Sequence, residues 1–595
     1  MNMRIASVLA LSVGGLALFA TAAACGDSRG GFTPPAPGFD PVPPPDAGEC
    51  PLQCSLDGRS VVRSCTGEVV ETCRPEQACG AALCQEPCAA AAADRSSNGC
   101  DFYFQAPATQ AEFAGSCYAT FIVNTSTLPV DITLEREGKA LDISQSMFRT
   151  NPGDATLLAH SGPIGPGESA VLFVSEASSA AASSSSHVSC PLGVTAAVLE
   201  DDALSTTGIG SSFRLKASTP VSLVAMYPFG GAASFVPTAT LLLPIVNWAK
   251  EHLVFAPWEA ARRYGYVIGL PTAQVVAAED DTELTIFPTR AIEDGPGVKG
   301  TPAHVPATYH LDRGQYLQLV QFDELSGSVV RSNKPTTFFS GHTCADIPTN
   351  TIACDILGQQ IPAYEHWGSE YVAVGYRPRL GGDEAMPYRI VAARDGTHLD
   401  YDPAIPAGAP TELSAGEVAT FPAGAGEAFV VRTQDPEHPI YVAAYMTSAE
   451  GLYFGSPSMG GHGDPEFVNV VPAGQYLSAY SFYADPTYAE TSLVIVRAKS
   501  QGTFKDVWLE CAGNLIDFRP IGTRGEYEFT RVDLSRRHGP GATFGDKTCQ
   551  AGLQRMKSDG PFTATLWGWD KTASYAYPGG MANRKLVTTP LDSIR

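Results

Sequence analysis

An all-β protein of several modules is predicted by three features of the sequence: sparse charge with abundant Gly and Pro, apolar alternation broken by turn residues, and a strand-rich unit that recurs four times. Only 17% of the 595 residues are charged, against 58 Gly and 46 Pro. That balance favours strands joined by turns over long, charge-laced helices. With 44% hydrophobic residues a large core is available, yet the length exceeds what one core sustains, so several modules are expected. The formal net charge of −23 repels phosphate backbones and no basic stripe offsets it, which argues against a nucleic-acid partner.

From the N-terminus, residues 1–24 read as an export signal: Arg4 supplies the positive start, Ile5 to Ala20 an apolar stretch, and "TAAAC" a run of small residues. The stretch is too short to span a membrane stably. Its end, "AAAC", resembles a bacterial lipobox, in which the cysteine, here Cys25, is acylated, although Ala22 stands where leucine is usual. Cleavage after Ala24 at the Ala22-x-Ala24 site is the competing reading. Fifteen cysteines are present, and a secreted chain seldom leaves a thiol idle. Assigning Cys25 to a lipid leaves fourteen to pair, and multiple acyl chains hold a protein on a membrane where one does not.

Residues 25–49 form a lipidated cysteine and a Pro/Gly-rich tether with almost nothing to bury, which predicts an extended spacer. Residues 50–98 form a Cys-rich module. Paired C-x2-C spacings are lacking there, and export favours disulfides over zinc. So small a module depends on cross-links of roughly 2 to 4 kcal/mol each, with a connectivity that spacing does not fix.

Residues 99–595 carry the repeat, in units of about 99–247, 248–363, 364–470 and 471–580. One recurring element is "FRLKASTPVSLVAMY", "SVVRSNKPTTFFSG", "FVVRTQDPEHPIYVAAY" and "LQRMKSDGPFTATLWGW". Each reads as a strand, a polar turn with a proline (Pro220, Pro335, Pro439, Pro561), and a second strand. Ahead of it stand hairpin patterns such as "AQVVAAEDDTELTIFP" and "YRIVAARDGTHLDYDP". Between the two lies a strand after a glycine turn, as in "LDRGQYLQLV" and "LSAGEVATFP". Five to seven strands per unit predict four tandem β-sandwich-like units; the alternative is a β-propeller-like array with insertions. A Ser/Ala run, Ser175 to Ser189, is expected to be a mobile loop.

The densest group of reactive side chains is "SGHTCADIP", Ser340 to Pro348. Cys344 and Cys354 bracket a loop between two strands, and oxidising conditions predict a disulfide there worth roughly 3 kcal/mol. A metal site of His342, Cys344 and Asp346, or a Cys344 nucleophile with His342 or His366 as base, would compete with that oxidation. Cys511 with Cys549, and Cys117 with Cys190, are further expected disulfides. The acidic turns at Glu279 to Asp281 and Arg394 to Gly396 suit solvated turn residues better than calcium. No metal and no cofactor is expected. Catalytic signatures such as H-E-x-x-H, G-x-S-x-G and a phosphate loop are missing from the sequence.

The stretches "NKPTTFFSGHTC", "CDILGQQIP", "HWGSEYV" and the terminal "ASYAYPGG" resemble the IgGFc-binding protein N-terminal domain family over roughly Cys100 to Gly580. The resemblance implies a repetitive β-rich binding surface without established catalytic residues, and by itself no affinity for antibody. The function expected is non-enzymatic: a lipoprotein of the outer membrane or cell surface that adheres to, or recognises, a protein or glycan through loops of a rigid scaffold. Tyr364, His366 and Trp367, with the aromatic stretch Tyr480 to Tyr488, are the candidate contacts. Alternatives are a hydrolase acting on polysaccharide or peptide, a structural envelope component, and a secreted or periplasmic location.

Overall fold

The computed structural model describes residues 50–178, 186–201, 203–263, 266–349, 351–382, 384–451 and 458–592. The export signal, Cys25, the Pro/Gly tether and residues 179–185 of the Ser/Ala run lie outside the described residues.

The N-terminal module is stapled by Cys50–Cys65, Cys54–Cys79 and Cys73–Cys84, and Cys88–Cys100 ties its helix, Pro87–Asp94, to the first strand that follows. Its hydrophobic core is little more than Val61 and the disulfides themselves, which is why cross-links carry its stability.

Beyond it the chain repeats one strand plan four times. In the first unit the seven strands of the plan are Gly99–Phe104, Tyr118–Asn124, Ile132–Arg136, Lys139–Leu141, Ser169–Glu176, Phe213–Tyr227 and Thr238–Leu241, with shorter strands added in the connections between them. Strands one, six, three and four form one layer in that spatial order; five, two, six and seven form the other. The second unit follows the same plan, with Val329–Ala345 as its sixth strand, and so does the fourth, with Gly552–Asp570.

The sixth strand therefore serves both layers, and this corrects the expectation of two strands and a turn. In the first unit its start pairs with strands one and three through Phe213–Ala217, and its end pairs with strands two and seven through Val221–Tyr227. Pro220 sits at the crossing, Pro335 and Pro561 at the equivalent points. Ladder partners change there, so a residue without N–H costs no pairing. In the third unit the crossing is broken into Ala428–Thr433 and Ile440–Met446, joined through Pro439, and the two layers are separate four-stranded sheets. Each unit is a two-layer sandwich, not a single-sheet propeller blade.

The seventh strands, Thr238–Leu241, Asp355–Ile361, Glu466–Asn469 and Ala573–Pro578, meet at the centre of the molecule. The buried Gln359 amide donates to the carbonyls of Ala239 (2.7 Å), Phe467 (2.9 Å) and Ala576 (3.1 Å), one on each of the other three strands. The circle closes where the chain end returns: Met581 N donates to Ser97 Oγ and Asn583 N to the Arg95 carbonyl.

Candidate recognition surface

The group quoted as chemically densest is interior. His342 is fully buried; its Nδ1 accepts from Cys344 N at 3.1 Å, so Nε2 carries the proton and donates to the Glu259 carbonyl at 3.0 Å. Burial pushes its pKa down to about 3. The structure bonds Cys344 to Cys354, and Asp346 is 1% exposed. Both histidine nitrogens and the sulfur are thus already engaged. Among the described residues no cluster of His, Cys, Asp and Glu has the geometry to hold a metal ion. Cys117–Cys190 and Cys511–Cys549 are likewise bonded, so all fourteen cysteines from Cys50 onward are paired. Of the acidic turns, Asp280 pairs with Arg313 at 3.2 Å in the open.

Tyr364, His366 and Trp367 are 2%, 1% and 2% exposed, which overturns their assignment as contact residues. They belong to a connector that recurs between units. A short 3-10 turn follows the seventh strand of each of the first three units, at Ile245–Asn247, Tyr364–His366 and Ala473–Gln475, and an aromatic comes next: Trp248, Trp367 or Tyr476. The indoles of Trp248 and Trp367 donate back to the carbonyls of Leu243 and Pro362, and Trp367 packs on Tyr441 with ring centroids 5.5 Å apart. Their amphipathic rings lock the turn from one sandwich into the next. Tyr480, Tyr483 and Tyr488 are buried as well. Aromatic density alone does not tell a junction from a contact patch; the recurring polar–aromatic pair that ends four or five residues after a proline (Pro244 to Trp248, Pro362 to Trp367, Pro472 to Tyr476) is the signal that could have separated them.

A second buried group went unnoticed in the sequence. Asp355, Asp464 and Glu466 lie at the central junction, 0%, 1% and 0% exposed. Glu466 accepts from Phe467 N (2.8 Å), Thr238 Oγ1 (3.2 Å) and Ala239 N (3.4 Å). Burial, reinforced by the two neighbouring acids, pushes the Asp355 carboxyl well above the usual carboxylate range, and burial does the same to Glu466 despite its donors. These carboxyls are sealed from solvent, so their role is in the packing of the four units.

Open concavity lies elsewhere. A groove of about 650 Å³ opens at one end of the third unit, lined chiefly by Ala404, Ile405, Pro406, Pro422, Ala423 and Phe429. A more polar one of about 520 Å³ lies beside Trp248, Glu251 and Arg331. The first has the apolar lining with few polar groups that binding clefts share. Ile405, at its mouth, is 55% exposed. Proline and alanine keep this wall rigid and low in side-chain entropy.

The family model for the IgGFc binding protein matches residues 238–568, more than half of the chain. The chain belongs to the IgGFc-binding protein family. The match begins on the seventh strand of the first unit and ends in the sixth strand of the fourth, so its span takes in all four unit junctions' central strands except the last. The human IgGFc-binding protein is 26% identical over 305 residues, which cover 50% of this chain and 5% of the human protein. The chain therefore corresponds to a small part of that relative's length. No solved structure matches this chain. Among the described residues no helix is long and apolar enough to cross a membrane.

Proposed function

We propose that this member of the IgGFc-binding protein family is a non-enzymatic recognition protein, exported, acylated at Cys25 and raised from a membrane by the tether of residues 25–49. The partner is a protein or glycan outside the cytoplasm. The observation that carries the reading is the division of the molecule: its densest histidine and cysteine cluster and its central carboxyls are buried, while the open groove of the third unit is chiefly apolar. Full pairing of the other fourteen cysteines supports an oxidising compartment and leaves Cys25 as the odd one. The family supports recognition of a protein, and the name of the human relative makes the Fc region of immunoglobulin G the first ligand to test.

The test uses the full chain with Cys25→Ser, kept soluble, against purified Fc, extracellular-protein arrays and glycan arrays. Saturable binding to one of these is the expected outcome, and binding to none sinks the reading in favour of a structural envelope component. Intact-mass analysis of the mature wild-type protein checks the anchor: a diacylated and N-acylated Cys25 is expected, and an unmodified mature terminus at Cys25 rejects it.

A further inference from the structure

Each unit's fifth strand is paired on its inner side with the second strand, and three of the four also carry an added strand on the outer side. Met147–Arg149 lies on Ser169–Glu176, Gly208–Ser211 on Gln315–Val320, and Arg519–Ile521 on Tyr527–Arg536. Among the described residues nothing pairs with the outer side of the fourth, Val418–Gly424. Chain length explains the difference. Gly208–Ser211 belongs to the connection between strands five and six of the first unit, which runs over 177–212 and so reaches across to the second unit. The equivalent connection of the second unit spans only 321–328. It stops against Gly416, where a Cβ on Gly327 would meet the Gly416 carbonyl at 2.7 Å.

The register of the free edge follows from two prolines. Pro387 and Pro422 face each other in the ladder, and two residues without N–H cannot form a hydrogen-bonded pair. Hydrogen bonds to the inner strand therefore run through Ala419, Phe421 and Ala423, and the N–H groups of Val418 and Thr420 turn outward. The second unit shows what such groups accept. "LDRGQYLQLV" and "LSAGEVATFP" superpose on their left-handed glycines, Gly314 (φ 77°) and Gly416 (φ 75°). Val418 and Thr420 then correspond to Tyr316 and Gln318, the residues opposite Gly210 and Gly208 in the added strand. Pro422 removes the next outward donor and fixes where pairing must stop.

We propose that Val418–Gly424 takes up an extended segment of a partner protein as an added strand, with alternate apolar side chains of that segment entering the groove beside Ile405 and Pro406. Main-chain bonds would supply affinity and the groove specificity, as in other strand-addition complexes. Glu417, next to the strand's start, and Glu427, in the groove's lining, are exposed at this edge, so the segment is apolar with Lys or Arg at its flanks. The same acidic rim, on a chain of net charge −23, opposes a second copy of this chain as the occupant. The inference rests on the reading of the protein as a recognition molecule and names the class of partner.

The test is selection from a surface-displayed library of random dodecapeptides on the full Cys25→Ser chain. Clones with alternating apolar residues and basic flanks are expected. Their binding should fall at least about tenfold on Thr420→Pro, which deletes one outward donor, and stay within about twofold on Thr420→Ala, which keeps it. Ile405→Asp, at an exposed position, should weaken the same clones and covers the case that Thr420→Pro misfolds. Clones indifferent to all three substitutions, or none above background, overturn the proposal, as does a concentration-dependent dimer lost with Thr420→Pro. If the arrays yield a ligand that Thr420→Pro and Ile405→Asp bind normally, recognition stands and the strand-addition site falls.

Discussion

At the scale of single residues, the interior carboxyls give the molecule a pH dependence whose sign is fixed by burial. Asp485 is 1% exposed, accepts from Thr487 N at 2.9 Å, and has its pKa raised by burial to about 6 from 3.8. A carboxyl raised on folding holds its proton more tightly in the native state. Stability is therefore complete below the unfolded value, near pH 4, and falls as the pH climbs through about 6. Asp355 and Glu466, raised too, act in the same direction. The buried His342 and His252, pushed down to about 3 and about 4, act the other way, so Asp485 is read as a difference: in urea denaturation from about pH 4 to pH 7 the wild type should lose about 3 kcal/mol relative to Asp485→Asn, and a gap that does not change with pH contradicts the assignment. None of this was legible in the sequence, because a carboxylate reads as surface until a fold surrounds it. The pair Cys344 with Cys354 could be written down from position and compartment, since two strand ends ten residues apart offer few other partners; Cys117 with Cys190 and Cys511 with Cys549, 73 and 38 residues apart, rested on elimination within a unit. Tyr364, His366 and Trp367 could not be placed, because the same rings suit a wet patch and a dry junction.

At the scale of elements, the alternation of apolar residues revealed the recurring hairpins and the strands on either side of the unit prolines, and the glycine turns at Gly314 and Gly416 marked the fifth strands' starts. What alternation could not show is that the sixth strand continues through its proline. Phe213–Tyr227, Val329–Ala345 and Gly552–Asp570 run on through Pro220, Pro335 and Pro561, with a shift of register there, while exchanging one set of neighbours for another. A polar turn and a change of layer have the same local composition; only the identity of the neighbours separates them. The disulfides stabilise these elements by an amount that grows with the logarithm of the loop they close. Cys117–Cys190 spans 73 residues and Cys344–Cys354 spans 10. Chain entropy then predicts that the Cys117→Ala/Cys190→Ala double variant loses about 4 kcal/mol and Cys344→Ala/Cys354→Ala about 3 kcal/mol. Equilibrium denaturation of the two variants checks the order, and a larger loss for the shorter loop refutes the entropic account.

At the scale of the whole molecule, the four sandwiches do not behave as independent beads. Val494, Trp567, Trp569 and Ala576 of the fourth unit belong to the same hydrophobic cluster as Tyr371, Tyr388 and Met446 of the third, and Gln359 bonds across all four central strands. A chain ending at residue 470 loses one quarter of this junction. It should melt more than about 10 °C below the full chain and bind a hydrophobic dye; an unchanged transition would show that the units are autonomous. The sequence by itself determined the all-β class, the fourfold repeat, the cysteine-rich start and the family, because turn chemistry, period-two alternation and motif spacing are local and survive without coordinates. Only the tertiary structure decided which aromatics are dry, that four seventh strands share one polar centre, and that, among the described residues, one fifth-strand edge out of four carries no added strand. Those properties depend on what packs against a residue from far along the chain, and no local pattern encodes its neighbours.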